Sequence, residues 1–273
     1  MKTRFALALM ALLPILVACK AQDGSAETTP TTAPAATTEA PAQAQPAEPA
    51  STDAAPAPAA GADAPAAEAA APAPAAAAPV GPAPVAGTDY VVIEGGQPFQ
   101  PVNGKVEVTE IFGYVCPACA RFQPLVVTWK AGLPADVNFI YVPAPFGGTW
   151  DNYARAFYAA ETLGVQDKSH DAMYSAIHIE QTLKGERGAD SVQDIAKFYG
   201  KFGVDAKKFE DTMASFGVNA KVNRAKQFAT RSKISGTPSL IVNGKYLVKG
   251  RSFEDMLRIT DHLVASERAA AGR

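Results

Sequence analysis

A long stretch of low complexity most restricts what this chain can fold into. From residue 20 to about residue 86 the sequence consists almost entirely of Ala, Pro, Thr, Glu and Gly, and it contains no aromatic side chain. Such a segment cannot bury enough apolar surface to offset the entropy that ordering it would cost. The part that can fold therefore begins near residue 87 of 273, and its length suits one domain with a hydrophobic core.

The charge of the chain argues against one class of function. The formal net charge is -2, and the low-complexity stretch has several acids but a single lysine. The foldable part is therefore close to neutral. Because nucleic-acid-binding domains usually carry a basic surface, we expect no nucleic-acid partner.

The first nineteen residues are typical of an export signal. Lys2 and Arg4 precede the apolar run Phe5–Val17, which is shorter than the ~20 residues that a transmembrane helix needs. The run ends at Leu16-Val17-Ala18-Cys19, which resembles the lipobox of bacterial lipoproteins. That resemblance implies that Cys19 receives lipid and becomes the N-terminus, so that lipid is the only membrane attachment. An ordinary signal peptide or an uncleaved anchor is the alternative.

The foldable part begins and ends with alternating strands and helices. Three early segments have the β-branched and aromatic composition of strands; they are Tyr90–Ile93, Val106–Tyr114 and Val137–Val142. A helix is expected at Cys119–Lys130, with Pro124 inside it. Asn243-Gly244 is typical of a tight hairpin. The strands and helix around and after that turn are Ser239–Val242, Tyr246–Val248 and Phe253–Ser266.

Between residues 151 and 234 the pattern is helical, without convincing strand character. The expected helices are Asn152–Leu163, Ser169–Glu180, Ser191–Phe202, Ala206–Phe216 and Asn219–Ser232. Gly164, Gly203 and Gly217 stand where glycine commonly ends a helix. The order β-β-α-β, helices, β-β-α predicts an α/β chain with a block of helices in its middle.

The cysteines indicate redox chemistry. If Cys19 is lipidated, only Cys116 and Cys119 remain, too few for a structural zinc site, which takes four ligands. The histidines show no ligand spacing with them. The pair also closes too small a loop to stabilise the fold as a disulfide. We therefore predict a redox pair, with no metal and no cofactor.

The spacing of this pair has a physical reason. A strand delivers Cys116 to a helix N-terminus, where free N–H groups and the helix dipole favour negative charge. Pro117 suits the first helical turn because it has no N–H to lose. We expect Cys116 to be the exposed nucleophile, with a pKa of roughly 3.5–7.5. Cys119, one turn inside the helix, is expected to be buried and to resolve mixed disulfides.

A second motif, Gly236-Thr237-Pro238-Ser239, stands immediately before the hairpin. Taken alone, Pro238 would be an ordinary trans turn proline. Together with Cys116-Pro117-Ala118-Cys119 and the helical block between them, it resembles the DsbA family of periplasmic disulfide oxidoreductases. The likeness covers about residues 88–268 in order.

The resemblance implies a thioredoxin fold with an inserted α-helical domain and a cis Thr237–Pro238 bond. It implies that Cys116 attacks, that Cys119 resolves, and that Thr237 and Pro238 form the substrate-facing loop. The corresponding divisions are a signal at 1–19, a disordered tether at 20–87, thioredoxin-fold parts at 88–149 and 219–273, and the helical domain at 150–218. We expect a monomer, tethered by lipid in the periplasm.

The function implied is introduction of disulfides into reduced exported proteins, with reoxidation by a DsbB-type membrane partner. The sequence departs from the best-known pattern at Ala118, where histidine is usual, and at Gln123, where an acid is usual. Glu110 matches an acidic position of the family and is a candidate proton relay. A solvated Glu110 is the alternative.

Other functions stay open at this point. A disulfide reductase or isomerase of the same fold is one, and a copper-binding or purely structural envelope lipoprotein is another. The remaining aromatic and basic candidates are interpreted as structural: Trp129 and Trp150 as core or groove-lining residues, and His170, His178 and His262 as helix-surface residues.

Overall fold

The computed structural model describes residues 78–272. The predicted export signal, Cys19 and the predicted tether up to residue 77 lie outside the described residues. The described part has five strands, which are β1 (Tyr90–Val92), β2 (Val106–Phe112), β3 (Val137–Pro143), β4 (Ser239–Val242) and β5 (Tyr246–Val248). Its seven α-helices are α1 (Pro117–Ala131), α2 (Thr149–Thr162), α3 (Gln166–His178), α4 (Val192–Tyr199), α5 (Ala206–Ala214), α6 (Phe216–Arg231) and α7 (Phe253–Ala270). The predicted α/β class is confirmed.

The strands form one mixed sheet in the order β1-β5-β4-β2-β3. β2 lies inside the sheet, parallel to β3 and antiparallel to β4. All of its residues are buried, because it has strand neighbours on both edges and helices on both faces. The register pairs Ile111 with Ser239. The carboxyl end of β2 therefore lies beside the beginning of β4, where the two predicted motifs meet.

Hydrophobic clusters cover both faces of the sheet. On one face Val108 of β2 packs with Phe122 of α1 and Leu257 of α7. Phe112, at the end of the same strand, belongs to a larger cluster that includes residues of α2 to α6. Its ring centroid lies 5.3 Å from that of Phe157 in α2. The helices that stand between β3 and β4 in the chain thus share a core with the strand that leads to the cysteine pair.

The junction of α5 and α6 differs from the expectation. Ser215 ends α5 and caps α6, where its hydroxyl accepts a hydrogen bond from the Val218 N–H (3.2 Å). Gly217 therefore lies in the first turn of α6, and its predicted role as a helix end was wrong. A domain boundary at residue 218 falls within this continuous helix. Gly203, by contrast, follows a short 3-10 turn with a φ of 78°, as a glycine stop should.

The first described residues run along the surface of the domain. This N-terminal strap, residues 78–87, belongs to the stretch that the sequence assigns to the tether. Arg258 of α7 donates a hydrogen bond to the carbonyl of Pro82. Residues 78–80 line a surface cavity together with Trp129 near the end of α1. The strap therefore contacts α1 and α7.

None of the helices between residues 78 and 272 is both long and apolar enough to cross a bilayer.

Candidate active site

The chain delivers Cys116 to the start of α1. β2 ends at Phe112, a turn follows, and Cys116 takes extended backbone angles (φ -78°, ψ 115°) as the N-cap of the helix. Its Sγ accepts a hydrogen bond from the Cys119 N–H (3.3 Å), as the oxygen of Ser or Asp does in other helix caps. Pro117 occupies the beginning of the helix. The predicted placement of the sulfur at a helix N-terminus is confirmed.

The two cysteines, both free thiols in this structure, differ in accessibility and acidity. Cys116 is 7% exposed and Cys119 is fully buried, so Cys116 is the more accessible thiol, though far less exposed than expected. The pKa of Cys116 is lowered to about 6, chiefly by its hydrogen bond with the Cys119 side chain. Burial opposes this shift, and the Thr237 side chain and the N–H groups of Cys119 and Ala118 add to it.

Cys119 is shifted in the opposite direction. Burial raises the pKa of its thiol well above the usual value, and the hydrogen bond to Cys116 and the charge of Glu110 raise it further. At neutral pH the pair therefore consists of a thiolate at Cys116 and a thiol at Cys119. This is the division of labour that dithiol–disulfide exchange requires.

The Thr237–Pro238 peptide bond is cis, as the resemblance predicted. The Cys116 thiol lies 3.5 Å from the carbonyl oxygen of Thr237. This contact follows from the sheet, because the loop leads directly into β4 and Ser239 pairs with the last part of β2. The two motifs, more than a hundred residues apart in sequence, are thus brought together.

Glu110 lies on β2 and is fully buried. Neither of its carboxyl oxygens has a hydrogen-bond partner within residues 78–272. Burial raises its pKa to about 8, and the charge of Cys116 adds to the rise while Lys130 opposes it. The solvated Glu110 that the sequence left open is therefore wrong, and the group is protonated at neutral pH.

Gln123 is also buried, one turn beyond Cys119. Its amide nitrogen donates to the Tyr141 hydroxyl (3.0 Å) and to a carboxylate oxygen of Asp171 in α3 (2.8 Å). The carboxylate at this place in the fold therefore belongs to α3. The side-chain amide of Gln123 on α1 links this carboxylate to the Tyr141 hydroxyl.

Two histidines of α3 reach Tyr114, in the turn that precedes Cys116. His170 is 3% exposed and its Nδ1 lies 2.9 Å from the Tyr114 hydroxyl. Its assignment to the helix surface was wrong, because α3 packs this face into the core. The partly buried His178 donates from Nε2 to the Tyr114 carbonyl (2.7 Å). The one local signal for these contacts is the eight-residue spacing of the two histidines, about two helical turns.

A surface groove of about 710 Å³ begins beside the cysteine motif and runs between α1 and α3. Its lining is mostly apolar, and it includes the exposed side chains of Val127 and Ile179. Pro117 forms the end of the groove nearest to Cys116. The groove therefore continues the reactive surface along α1.

The two tryptophans have structural contacts, as expected. Trp129 donates from Nε1 to Asp261 (2.7 Å). Trp150 packs so closely on Gly113 that a Cβ at that position would lie 2.2 Å from its ring.

In the part of the chain that the structure describes, no group of three or more His, Cys, Asp or Glu side chains is placed to hold a metal ion.

An accessible thiolate at a helix N-terminus, a buried partner thiol and an adjacent cis-proline loop define the class of thiol–disulfide oxidoreductases with a thioredoxin fold. Comparison with known proteins identifies the same class.

A family model described as a DSBA-like thioredoxin domain matches residues 107–259. The thiol:disulfide interchange protein DsbA of Pseudomonas aeruginosa is 38% identical over 190 residues, covering 68% of this chain and 87% of that protein. Its counterpart in Pseudomonas syringae pv. tomato is 39% identical over 189 residues, covering 68% and 86%.

Solved structures of DsbA oxidoreductases also resemble this chain. The crystal structure of the oxidoreductase DsbA from Xylella fastidiosa matches with a TM-score of 0.67 and 46% identity, covering 68% of this chain and 98% of that one. This chain belongs to the DsbA family and is a thiol:disulfide interchange oxidoreductase.

Proposed function

We propose that this enzyme works in the bacterial periplasm, where it introduces disulfide bonds into reduced exported proteins. The observation that carries the proposal is the low pKa of Cys116, about 6. A stabilised thiolate favours the reduced form of the enzyme, and this makes the oxidised form a good oxidant.

The exchange takes place in two displacements. A client thiolate attacks Sγ of Cys116 in the oxidised pair, the bond to Cys119 breaks, and its electron pair stays on the Cys119 sulfur. A second client thiolate then attacks the client sulfur of the mixed disulfide. The client disulfide forms, and Cys116 leaves as the stabilised thiolate. Two electrons have passed from the client to the enzyme.

Glu110 is the proposed proton donor in the first displacement. The departing Cys119 sulfur is buried, and its thiolate is strongly disfavoured because burial raises its pKa. Glu110 is buried in the same region and protonated at neutral pH, and its charge is among the causes that raise the pKa of Cys119. A proton passed from Glu110 to Cys119 removes the cost of a buried thiolate.

Thr237 and Pro238 form the proposed substrate-facing loop. The Thr237 carbonyl lies beside the Cys116 sulfur, where the backbone of a bound client would pass. Pro117 and Ala118, the residues between the cysteines, complete the rim of this site in the proposal.

Reoxidation and location complete the proposal. A DsbB-type membrane partner takes the two electrons from the reduced pair. Cys19 carries the lipid that holds the enzyme at the membrane, and the enzyme acts as a monomer. The lipobox-like sequence Leu16-Val17-Ala18-Cys19 supports the anchor.

The test of the cysteine roles is to trap the intermediate. The variants are mixed with a client that carries a disulfide, which the Cys116 thiolate attacks to form a mixed disulfide and release one client thiolate. Cys119→Ala should accumulate this species, because the enzyme thiol that would release it is missing, whereas Cys116→Ala should form none. The species are counted on non-reducing gels after acid quenching. Trapping by Cys116→Ala instead would reverse the assignment.

The direction of the reaction is tested separately by the equilibrium of the pair with glutathione. A potential between that of thioredoxin, about -270 mV, and that of the strongest oxidants of this family, about -120 mV, is expected. A value at or below that of thioredoxin would favour the reductase alternative.

A further inference from the structure

Tyr114 stands in the turn between β2 and the reactive cysteine, and α3 holds it at two points. We propose that His178, assisted by His170, is a positioning residue that fixes this turn and thereby sets how well the start of α1 stabilises the Cys116 thiolate. The inference rests on the proposed role of Cys116.

The turn is closed by a hydrogen bond from the Cys116 N–H to the Gly113 carbonyl (3.0 Å). Tyr114 and Val115 are its central residues, so the peptide between them is the central peptide of a four-residue turn. Such a peptide can face either way, which is the difference between the type I and type II families. Its orientation therefore needs a partner outside the turn.

His178 supplies that partner. The Tyr114 carbonyl can only accept a hydrogen bond, so the ring nitrogen 2.7 Å away, Nε2 of His178, carries the proton and donates it. The bond holds the central peptide in one orientation. Tyr114 is only two residues from Cys116, and their Cα atoms are therefore at most about 7.6 Å apart. A tilt of this peptide would therefore shift the backbone of Cys116, the N-cap of α1.

His170 holds the other end of the same residue. The Tyr114 side chain is 1% exposed and its hydroxyl lies 2.9 Å from Nδ1 of His170. Burial lowers the pKa of His170 to about 3, so the ring is neutral and Nδ1 can accept this hydrogen bond at the pH of function. The ring position of Tyr114 and its carbonyl are thus fixed from one helix.

The effect on the thiolate follows from the cap geometry. The Cys116 sulfur accepts the Cys119 N–H at 3.3 Å, and hydrogen bonds weaken steeply as they lengthen or bend. A charged acceptor gains about twice as much from such a bond as a neutral one. Loosening the turn therefore destabilises the thiolate more than the thiol or the disulfide. The equilibrium between the reduced and the oxidised pair then shifts toward the disulfide.

The experiment compares two substitutions of His178. His178→Leu removes the donor, and we expect a higher Cys116 pKa and a roughly five-fold shift of the glutathione equilibrium toward the oxidised enzyme, the fold-change of one lost hydrogen bond. His178→Gln keeps an N–H donor of similar reach and should stay within about two-fold of the parent. Thiolate absorbance against pH gives the pKa, and a glutathione titration gives the equilibrium.

Unfolding in urea and His262→Leu, a histidine substitution on α7, serve as controls. A merely structural role would lower the stability of His178→Leu while leaving the Cys116 pKa and the glutathione equilibrium unchanged, and that result would overturn the proposal. Equal effects of the Leu and Gln variants would also overturn it. Trapping by Cys119→Ala reports on the nucleophile independently, so failure of one proposal can be told from failure of the other.

Discussion

At Cys116 the negative charge is stabilised by the Cys119 side chain first, and then by Thr237 and the N–H groups at the helix start. Residue 118 contributes only its backbone, because it is alanine. The thiolate thus depends on few donors. The oxidising strength of the enzyme should therefore respond to a new hydrogen-bond donor or positive charge placed between the cysteines.

Ala118→His tests this dependence. An imidazole at position 118 can donate a hydrogen bond or carry positive charge near the thiolate, so we expect a lower Cys116 pKa and a more oxidising potential. Ala118→Leu is the matched control, since it adds bulk without a donor and should change neither quantity in that direction. If the histidine variant leaves both unchanged, stabilisation of the thiolate is dominated by other groups.

Glu110 makes a different residue-scale prediction. Burial raises its pKa to about 8 in the folded protein, from an ordinary value of 4.5. Between these pH values the unfolded chain ionises the group and the folded protein does not, so folding stability falls as the pH rises through this window. Each pH unit between the two pKa values corresponds to about 1.4 kcal/mol of folding free energy.

We therefore expect Glu110→Gln to be more stable than the parent by about 2–4 kcal/mol at pH 8. The two should be nearly equal at pH 4. Urea unfolding of the reduced proteins at both pH values measures the difference, with the surface substitution Glu94→Gln as a control. An equal offset at both pH values would contradict a buried, neutral carboxyl.

At the scale of elements, composition predicted the strands closely and the helices to within a few residues at most ends. β4 and β5 have the predicted bounds, because β-branched residues flanking Asn-Gly leave few alternatives. The junction of α5 and α6 was misplaced, since Gly217 and Ser215 both carry end signals and only the cap geometry decides between them. Local signals identify an element more reliably than they place its ends.

The same limit applies to the site. Cys116 and Cys119 can be found from the sequence because their chemistry depends on a four-residue motif. Pro238 is found through the resemblance of the chain to the DsbA family. The contact of His178 with Tyr114 joins residues 64 positions apart. The burial of Glu110 likewise depends on helices far away in the chain. No local pattern reports such contacts, since they arise only when the layers pack.

For the whole molecule, the strap predicts how truncation will act. A fragment that begins at Ala78 should keep the stability and the exchange activity of the domain. One that begins at Gly87 loses the bond between Arg258 and Pro82, and we expect a loss of about 1 kcal/mol of stability with an unchanged redox potential. Thermal unfolding and client oxidation rates separate the two effects, and Arg258→Ala in the longer fragment should reproduce most of the loss. A changed potential on truncation would contradict a purely structural strap.

The strap also contacts one particular end of α1. It meets the fold near Trp129, at the end of α1, whereas the reactive sulfur stands at the beginning of that helix. Fifteen helical residues separate the two by about 22 Å. The strap therefore meets the domain at the end of α1 opposite the reactive sulfur. In the proposed lipid-anchored enzyme, an attachment at this end would leave the Cys116 end of the helix for the client and for the reoxidising partner.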